Sequence, residues 1–203
     1  MALVKYNNNS ISSVTALDSI ASGSLVLLST NTITSGVSSS SFTSNIDSTY
    51  DTYIFKFINI HPATNNVNLL FNMSSDGGSN YNITKTTTYF RAYHAESDAE
   101  ANLVYEATED LAQSTSYQNL SILIGNDNDQ STSGTLYLFS PSSDTFVKHF
   151  ISRMNAYYSA DFTFDQYVAG YGNTTSAINA VDFKMSSGNI DSGVIKMYGL
   201  SKS

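Results

Sequence analysis

The chain has 203 residues and contains no cysteine, no tryptophan and only two prolines. Without cysteine it has no disulfide, no thiolate zinc site and no cysteine nucleophile. Tryptophan, the commonest platform for sugar rings, is also missing. No apolar run approaches the ~18 residues of a membrane span, and residues 1–9 lack the apolar segment of a signal peptide. We therefore expect a soluble protein made in the cytoplasm, with no membrane partner.

Charge is scarce as well, since charged residues make up 13% of the chain, against roughly 25% in an average soluble protein. Seventeen acidic residues face nine basic ones, which gives a net charge of -8. Nucleic acid is excluded as a partner because no basic stripe is present to displace phosphate counterions. The abundant hydroxyl and amide side chains are easier to desolvate than charged ones, which favours a protein packed in an assembly or against sugars. A plain extracellular surface fits the same composition.

The sequence is rich in short segments of alternating apolar residues, separated by clusters of Gly, Asn, Asp and Ser. Their spacing predicts an all-β protein, an antiparallel β-sandwich of the jelly-roll type over residues 25–203. Residues 98–107 hold the only plausible helix, and they fit a loop and a short strand equally well. The predicted strands before the closing pair are 25–28, 37–42, 50–60, 67–73, 87–94, 118–124, 134–140, 145–154 and 166–171.

The end of the chain, residues 176–200, carries two alternating runs around a turn rich in Gly, Asn and Asp. This pattern predicts a closing β-hairpin. A second hairpin is predicted at Asp76-Gly77, because Asp-Gly between two strands favours a tight turn. The core residues predicted for the closing hairpin are Phe183, Met185, Ile195 and Met197.

Residues 1–24 differ from the rest of the chain because they are polar with isolated apolar residues. Four of these recur every third residue, as in a short helix, but the Ser and Thr residues between them are poor helix formers. We interpret the segment as an extended arm whose apolar surface is too small to fold alone, so it folds along a partner. The predicted partner-binding residues are Leu3, Val4, Tyr6, Ile11, Val14, Leu17 and Ile20.

Candidates for catalysis are few. His61, His94 and His149 lack the spacing of a metal site. The carboxylate pairs Asp47 with Asp51 and Asp161 with Asp165 would suit glycoside hydrolysis only at a separation of about 5–9 Å across a cleft. Turn capping is the ordinary role of Asp beside Ser and Thr. We expect no enzymatic activity and no cofactor.

Two loops resemble known local motifs. Residues 125–131 place Asp127 and Asp129 like the first ligands of a calcium loop, but the later bidentate Glu is missing. A solvated turn is therefore the favoured interpretation, with calcium binding left open. Residues 74–81 approximate the Ser-x-Asp-x-Gly-x-x-aromatic turn of sialidase-like propellers, where the turn braces a hairpin. A single copy indicates structure and not function.

Six segments together carry a resemblance to a known family. They are residues 25–30, 46–53, 74–78, 110–117, 146–151 and 190–199. The chain resembles a family of small virion proteins of tailed bacteriophages, many of them marine, over about residues 25–200. The closing sequence Lys196-Met197-Tyr198-Gly199 is the most specific part of this likeness. The resemblance implies a structural component of the virion, without distinguishing capsid from tail.

Two functional hypotheses follow. In the first, the protein is a non-enzymatic accessory subunit of the virion, a capsid decoration (cement) protein or a fibre or tail component. Its arm, residues 1–24, would bind the major capsid or tail proteins, and the subunit would form a homo-oligomer, with a trimer favoured. In the second, it is an adhesin whose Tyr-rich loop at residues 155–159 binds host-surface glycans. The arm would then be a tether.

Overall fold

The computed structural model describes residues 24–200 of the chain, and the predicted arm lies outside this range except for its last residue. Twelve strands account for the regular structure of the described part, which contains no helix, and all paired strands are antiparallel. The predicted all-β antiparallel fold is confirmed. The strands are β1 (Leu25–Ile33), β2 (Ser40–Phe42), β3 (Thr52–Pro62), β4 (Val67–Ser74), β5 (Lys85–Ala95), β6 (Ala101–Tyr105), β7 (Gln118–Ile124), β8 (Thr132–Phe139), β9 (Lys148–Tyr158), β10 (Phe162–Gly172), β11 (Ala180–Met185) and β12 (Ile190–Leu200).

The strands form two layers. All twelve strands belong to one hydrogen-bonded sheet, which folds over between β7 and β9. We call its two layers the large sheet, with the order β6-β5-β10-β9-β8-β3-β12-β1, and the small sheet, with the order β7-β4-β11-β2. One residue pair between β7 and β9, Ile124 with Tyr158, joins the two sheets. The result is a sandwich in which the short sheet covers the middle of the long one, as each sheet buries one apolar face.

The core is centred on Phe183 of β11, which is fully buried. Its ring contacts Phe55 and Phe57 of β3 across the sandwich, with centroid distances of 5.4 and 5.0 Å. Phe71 of β4 meets Phe150 of β9 in the same way, at 5.3 Å. Such aromatic pairs add about 0.5–1.5 kcal/mol each beyond the area they bury. The four core residues predicted for the closing segment are confirmed, since all are buried.

The two predicted hairpins are wrong. β11 pairs with β4 and β2, while β12 pairs with β1 and β3, so the turn at residues 186–189 crosses between the sheets. The turn containing Asp76-Gly77 also crosses, because β4 lies in the small sheet and β5 in the large one. Strands that face each other across a sandwich alternate just as paired strands do, so alternation and a turn signal do not separate the two cases.

Strand pairing decides the secondary structure of two segments that the sequence left uncertain or predicted as a loop. Residues 101–105 form strand β6 against β5, so of the two options for this segment the loop and short strand holds. Residues 155–158 belong to β9 and pair with β10, so the predicted Tyr-rich loop is mostly strand. Pro62 ends β3 as expected, since proline has no N–H to continue a ladder.

Candidate binding face

The outward surface of the large sheet is the most unusual part of the described structure. Nine large apolar side chains are exposed between residues 24 and 200. Strand alternation and register place eight of them on this one surface, which we call the outer face, and leave only Phe146 elsewhere. A concentration of this kind marks an interaction surface rather than scattered apolar residues. The eight residues are Leu25, Leu27, Ile58, Phe90, Leu103, Tyr105, Tyr137 and Ile151.

Strand register arranges the outer face in rows that run across the sheet. One row crosses β6, β5, β10 and β9 and consists of Tyr105, Phe90, Tyr167 and Arg153. The rings of Phe90 and Tyr167 stack in parallel, with centroids 4.8 Å apart and planes 2° apart. A neighbouring row crosses β9, β8, β3, β12 and β1, and it is mainly apolar. Its members are Ile151, Tyr137, Ile54, Tyr198 and Leu27.

A polar cluster interrupts the apolar rows at Arg153. Its Nε and Nη2 donate to the two carboxylate oxygens of Asp165 at 2.9 and 2.7 Å. The Tyr167 hydroxyl donates to the same carboxylate at 3.1 Å, and the guanidinium carbon of Arg153 lies 5.0 Å from the Tyr167 ring centroid. Hydrogen bonds from Arg153 lower the pKa of Asp165, so the carboxylate stays ionised.

A shallow depression of about 540 Å³ opens beside this cluster. Arg153, Asp165 and Asn155 provide charge and an amide at its floor, and Tyr137 provides a ring. The remaining lining residues are Ser133, Gly134 and Thr135. Polar groups beside an exposed ring can hold a small polar ligand, because the ring supplies apolar contact and the polar groups supply hydrogen bonds.

The β3–β12 half of the outer face carries two lysines, although the protein as a whole is acidic. Lys56 and Lys196 lie directly opposite each other on β3 and β12, and Arg153 lies on the same face. Like charges in directly opposite positions destabilise a sheet slightly, so a negative group from a partner would relieve the repulsion. An acidic segment, residues 96–110, lies at the other end of the same sheet around β6, and it contains Glu96, Asp98, Glu100, Glu106, Glu109 and Asp110.

Three of the four carboxylates considered as glycosidase candidates have structural roles. Asp47 caps a turn by accepting hydrogen bonds from the Thr49 N–H at 2.8 Å and the Tyr53 hydroxyl at 3.2 Å. The bond from Thr49 lowers the pKa of Asp47. Asp165 is held by Arg153, and Asp161 accepts a hydrogen bond from the Tyr157 hydroxyl at 3.2 Å in the turn after β9. A general acid needs a raised pKa, so Asp47 and Asp165 are both shifted in the wrong direction.

The histidines are separated from one another. His61 Nδ1 lies 2.7 Å from the Gln130 carbonyl oxygen, and His94 Nε2 lies 3.1 Å from a carboxylate oxygen of Asp98. His149 lies on the outer face against the edge of Tyr171. Within residues 24–200 no group of three or more His, Asp or Glu side chains could hold a metal ion.

The two motif-like loops close on themselves. In the loop 125–131, the Gln130 N–H donates to the Asp127 carbonyl at 2.8 Å, and the Asp127 N–H donates to the Gln130 side chain at 3.2 Å. In the loop 74–81, Asp76 accepts hydrogen bonds from the Ser74 hydroxyl at 2.6 Å and the Asn80 N–H at 2.9 Å, which lower its pKa to about 2. The second loop braces a crossing between the sheets.

The predicted partner-binding residues from Leu3 to Ile20 all lie outside the described part of the chain. The outer face is a site that sequence reasoning missed. Alternation gave the two faces of each strand, but register was needed to show that exposed residues of six strands share one surface. The signal that could have found it is the presence of large apolar residues at both alternating positions, as in β1, whose sequence begins Leu25-Val26-Leu27-Leu28.

Comparison with models of protein families, with curated proteins and with solved structures found no match to this chain. Between residues 24 and 200 the structure has no helix with the length and apolarity needed to cross a membrane.

Proposed function

We propose that this protein is a non-enzymatic structural subunit of a tailed-bacteriophage virion, which packs against copies of itself through the outer face. The observation that carries the proposal is that eight of the nine exposed large apolar side chains of the described residues share that face. Surfaces of this composition are covered in assemblies, because burial removes apolar area from water at about 25 cal/mol per Å². The virion setting comes from the resemblance of residues 25–200 to phage structural proteins.

The charge pattern favours a head-to-tail contact between copies. The basic residues Lys56 and Lys196 lie on the β3–β12 half of the large sheet, while the acidic segment 96–110 lies at its β6 edge. Two different patches that complement each other form a heterologous interface, which closes into a ring when the rotation allows. A homotrimer is the smallest ring of this kind, and it places each basic half against the acidic edge of its neighbour.

Variants of the outer face test the self-association. Ile151→Lys places a charge in the middle of the face and should shift the full chain from trimer to monomer in sedimentation velocity. Phe146→Lys is the matched control, because Phe146 is the most exposed of the nine side chains and lies off the face. The proposal would be contradicted if the wild-type chain is monomeric at micromolar concentration, or if both variants lose the trimer to the same extent.

The arm is tested separately, in particles. We propose that residues 1–24 attach the subunit to the major capsid or tail proteins, so the chain lacking these residues should be absent from purified virions. The outer-face variants serve as the comparison, because they retain the arm. Normal incorporation of the truncated chain would remove the anchoring role, and location of the subunit in a particle reconstruction would distinguish capsid from tail.

A second candidate function is binding of host-surface glycans, and the depression beside Tyr137 favours it. The Tyr137 ring provides the apolar contact that a sugar needs, and the polar contacts come from the Arg153–Asp165 pair and Asn155. In that case Tyr137→Ala should abolish binding of the purified protein to host cells, in competition with cell-surface polysaccharide. Loss of cell binding with unchanged sedimentation would support the adhesin over the packed subunit.

A further inference from the structure

Two lysines are fully buried within residues 24–200, and they have different surroundings. Lys85 and Lys148 both have 0% exposed surface. The ion pairs formed by residues 24–200 include neither of them. Buried ammonium groups without a carboxylate are costly, because an isolated charge in a medium of low polarity loses its hydration. Each lysine therefore needs an explanation.

Lys148 is held as an ordinary buried donor. Its Nζ donates to three backbone carbonyl oxygens, those of Ser143, Phe146 and Thr175. Lys85 is held differently, because its Nζ donates to the side-chain oxygen of Asn72 at 2.5 Å as well as to the Ile83 carbonyl at 2.7 Å. Asn72 is itself fully buried. An amine and a carboxamide are thus enclosed together, away from the solvent-accessible surface.

We propose that Lys85 and Asn72 form an isopeptide bond spontaneously after folding. Lys85 Nζ attacks the side-chain carbonyl carbon Cγ of Asn72 and forms a new C–N bond. The bond between Cγ and Nδ2 then breaks, and Nδ2 leaves as ammonia with the proton that Nζ loses. No oxidant or cofactor takes part, since the reaction exchanges one amine for another on the same acyl carbon.

The hydrogen bond between the two side chains holds the amine close to the amide carbon. A carbonyl bond is about 1.2 Å long, so an Nζ that lies 2.5 Å from Oδ1 is no more than about 3.7 Å from Cγ. Reacting atoms held about 3–3.5 Å apart gain a large advantage over the same groups in solution. The burial of both side chains also keeps water from competing as a nucleophile.

Hydrogen bonds fix the amide of Asn72 in place, and one of them lies where negative charge would develop during the attack. Oδ1, where negative charge would develop, accepts a hydrogen bond from the Met73 N–H at 2.8 Å. Nδ2, the leaving group, donates to the carbonyl oxygens of Tyr81 at 2.6 Å and Thr115 at 3.0 Å. Asp182 lies directly opposite Asn72 on β11, so a buried carboxylate stands beside the reacting amide.

The state of the amine supports the same chemistry. Burial lowers the pKa of Lys85 to about 7, so a large share of its side chain is neutral at neutral pH. The neutral amine is the nucleophilic form, because it alone carries a free electron pair.

The bond would have a structural use in this fold. Asn72 lies on β4 of the small sheet, and Lys85 begins β5 of the large sheet. The two sheets share one backbone-paired residue pair at Ile124 and Tyr158, and a chain without cysteine has no disulfide to hold its layers together. An isopeptide bond would join the sheets covalently and independently of redox conditions.

Mass spectrometry of the purified full chain tests the proposal. We expect an intact mass lower than the sequence mass by one ammonia. Trypsin does not cleave after an acylated lysine, so residues 57–91 should appear as one peptide that is lighter by one ammonia. Cleavage after Lys148 should proceed normally, which makes the second buried lysine an internal control.

Two variants complete the experiment. Lys85→Arg should have the full mass calculated for its sequence, whereas Lys148→Arg should still lack one ammonia. If Lys85→Arg does not fold, the digest of the wild-type chain decides alone. Complete cleavage after Lys85 together with an intact mass equal to that of the sequence would overturn the proposal.

Discussion

The outer surfaces of the two sheets are built in opposite ways. The outer face of the large sheet is apolar and uncovered, with Ile151 half exposed in its middle. The outer surface of the small sheet is polar but covered by the chain's own loops. Its central row consists of Ser41, Asp182 and Asn72, beneath Tyr81, Thr115 and Tyr117. The protein thus covers its polar surface itself and leaves its apolar surface open.

This difference separates stability from association. Polar groups on the small sheet are desolvated on folding, so each needs a partner within the chain and its loss destabilises the fold. Side chains on the outer face of the large sheet have few contacts to lose within the monomer, so their substitution should affect contacts with other molecules instead. Matched substitutions on the two surfaces test the distinction.

The largest effect is expected for Asp182→Ala on the covered surface. Asp182 accepts hydrogen bonds from the Ser41 hydroxyl at 2.6 Å and the Tyr117 hydroxyl at 3.0 Å. Hydrogen bonds to a charged group contribute about 1.5–3 kcal/mol, and two hydroxyls would lose their acceptor. We therefore expect the free energy of unfolding to fall by about 3 kcal/mol. Urea unfolding at neutral pH measures it. A loss below about 1 kcal/mol would mean that this surface is solvated. The intact mass of the same variant would show separately whether the proposed Lys85–Asn72 bond still forms.

An intermediate effect is expected for Phe90→Thr on the outer face. Its ring stacks on Tyr167 at 4.8 Å, and such a stack stabilises by about 0.5–1.5 kcal/mol. Threonine keeps a high strand propensity, so the loss should be about 1 kcal/mol and should come from the stack. Thermal unfolding at a protein concentration below that at which copies associate measures it.

Ile151→Thr is the control for this prediction, since Ile151 is half exposed on the same face and has no ring to stack. The free energy of unfolding should fall by no more than about 0.5 kcal/mol in Ile151→Thr. Equal losses in Phe90→Thr and Ile151→Thr would show that apolar burial, not ring stacking, sets the stability of the outer face.

Much of the fold could be predicted from the sequence, because most strands carry their own alternation. β7 was predicted at its observed bounds, and β3, β4 and β5 within two residues at each end. The partners of the strands could not be predicted. The sequence around the turn before β12 looks like a hairpin, because two strands that face each other across a sandwich show the same alternation as two paired strands. In the structure, Phe183 and Ile195 lie in different sheets.

The sites depend on such long-range placement even more. Tyr137 and Ile151 become neighbours only through the register of β8 and β9. Asn72 and Lys85 are thirteen residues apart and meet because the turn between them crosses from one sheet to the other. Neither pair forms a sequence motif, so neither contact could be predicted from composition or residue spacing. The low charge of the chain is a sequence signal that points to a surface of the folded domain packed against a partner.

The smallest effect is expected for Asp165→Ala, the counterpart of Asp182→Ala on the open surface. The Arg153–Asp165 pair has a forked geometry, but the Arg153 side chain is 65% exposed, so solvent screens it and we expect a loss of at most about 1 kcal/mol. Because Arg153 lowers the pKa of Asp165, the contribution is complete above the unfolded pKa of about 3.9 and disappears as pH falls through the folded value. The stabilities of wild type and variant, measured by urea unfolding from pH 7 downward, should therefore begin to converge near pH 4 and become equal only at lower pH. The comparison is made at a protein concentration below that at which copies associate. A loss there at pH 7 as large as that of Asp182→Ala would show that the outer face is covered within the monomer itself, and the contrast between the two surfaces would not hold.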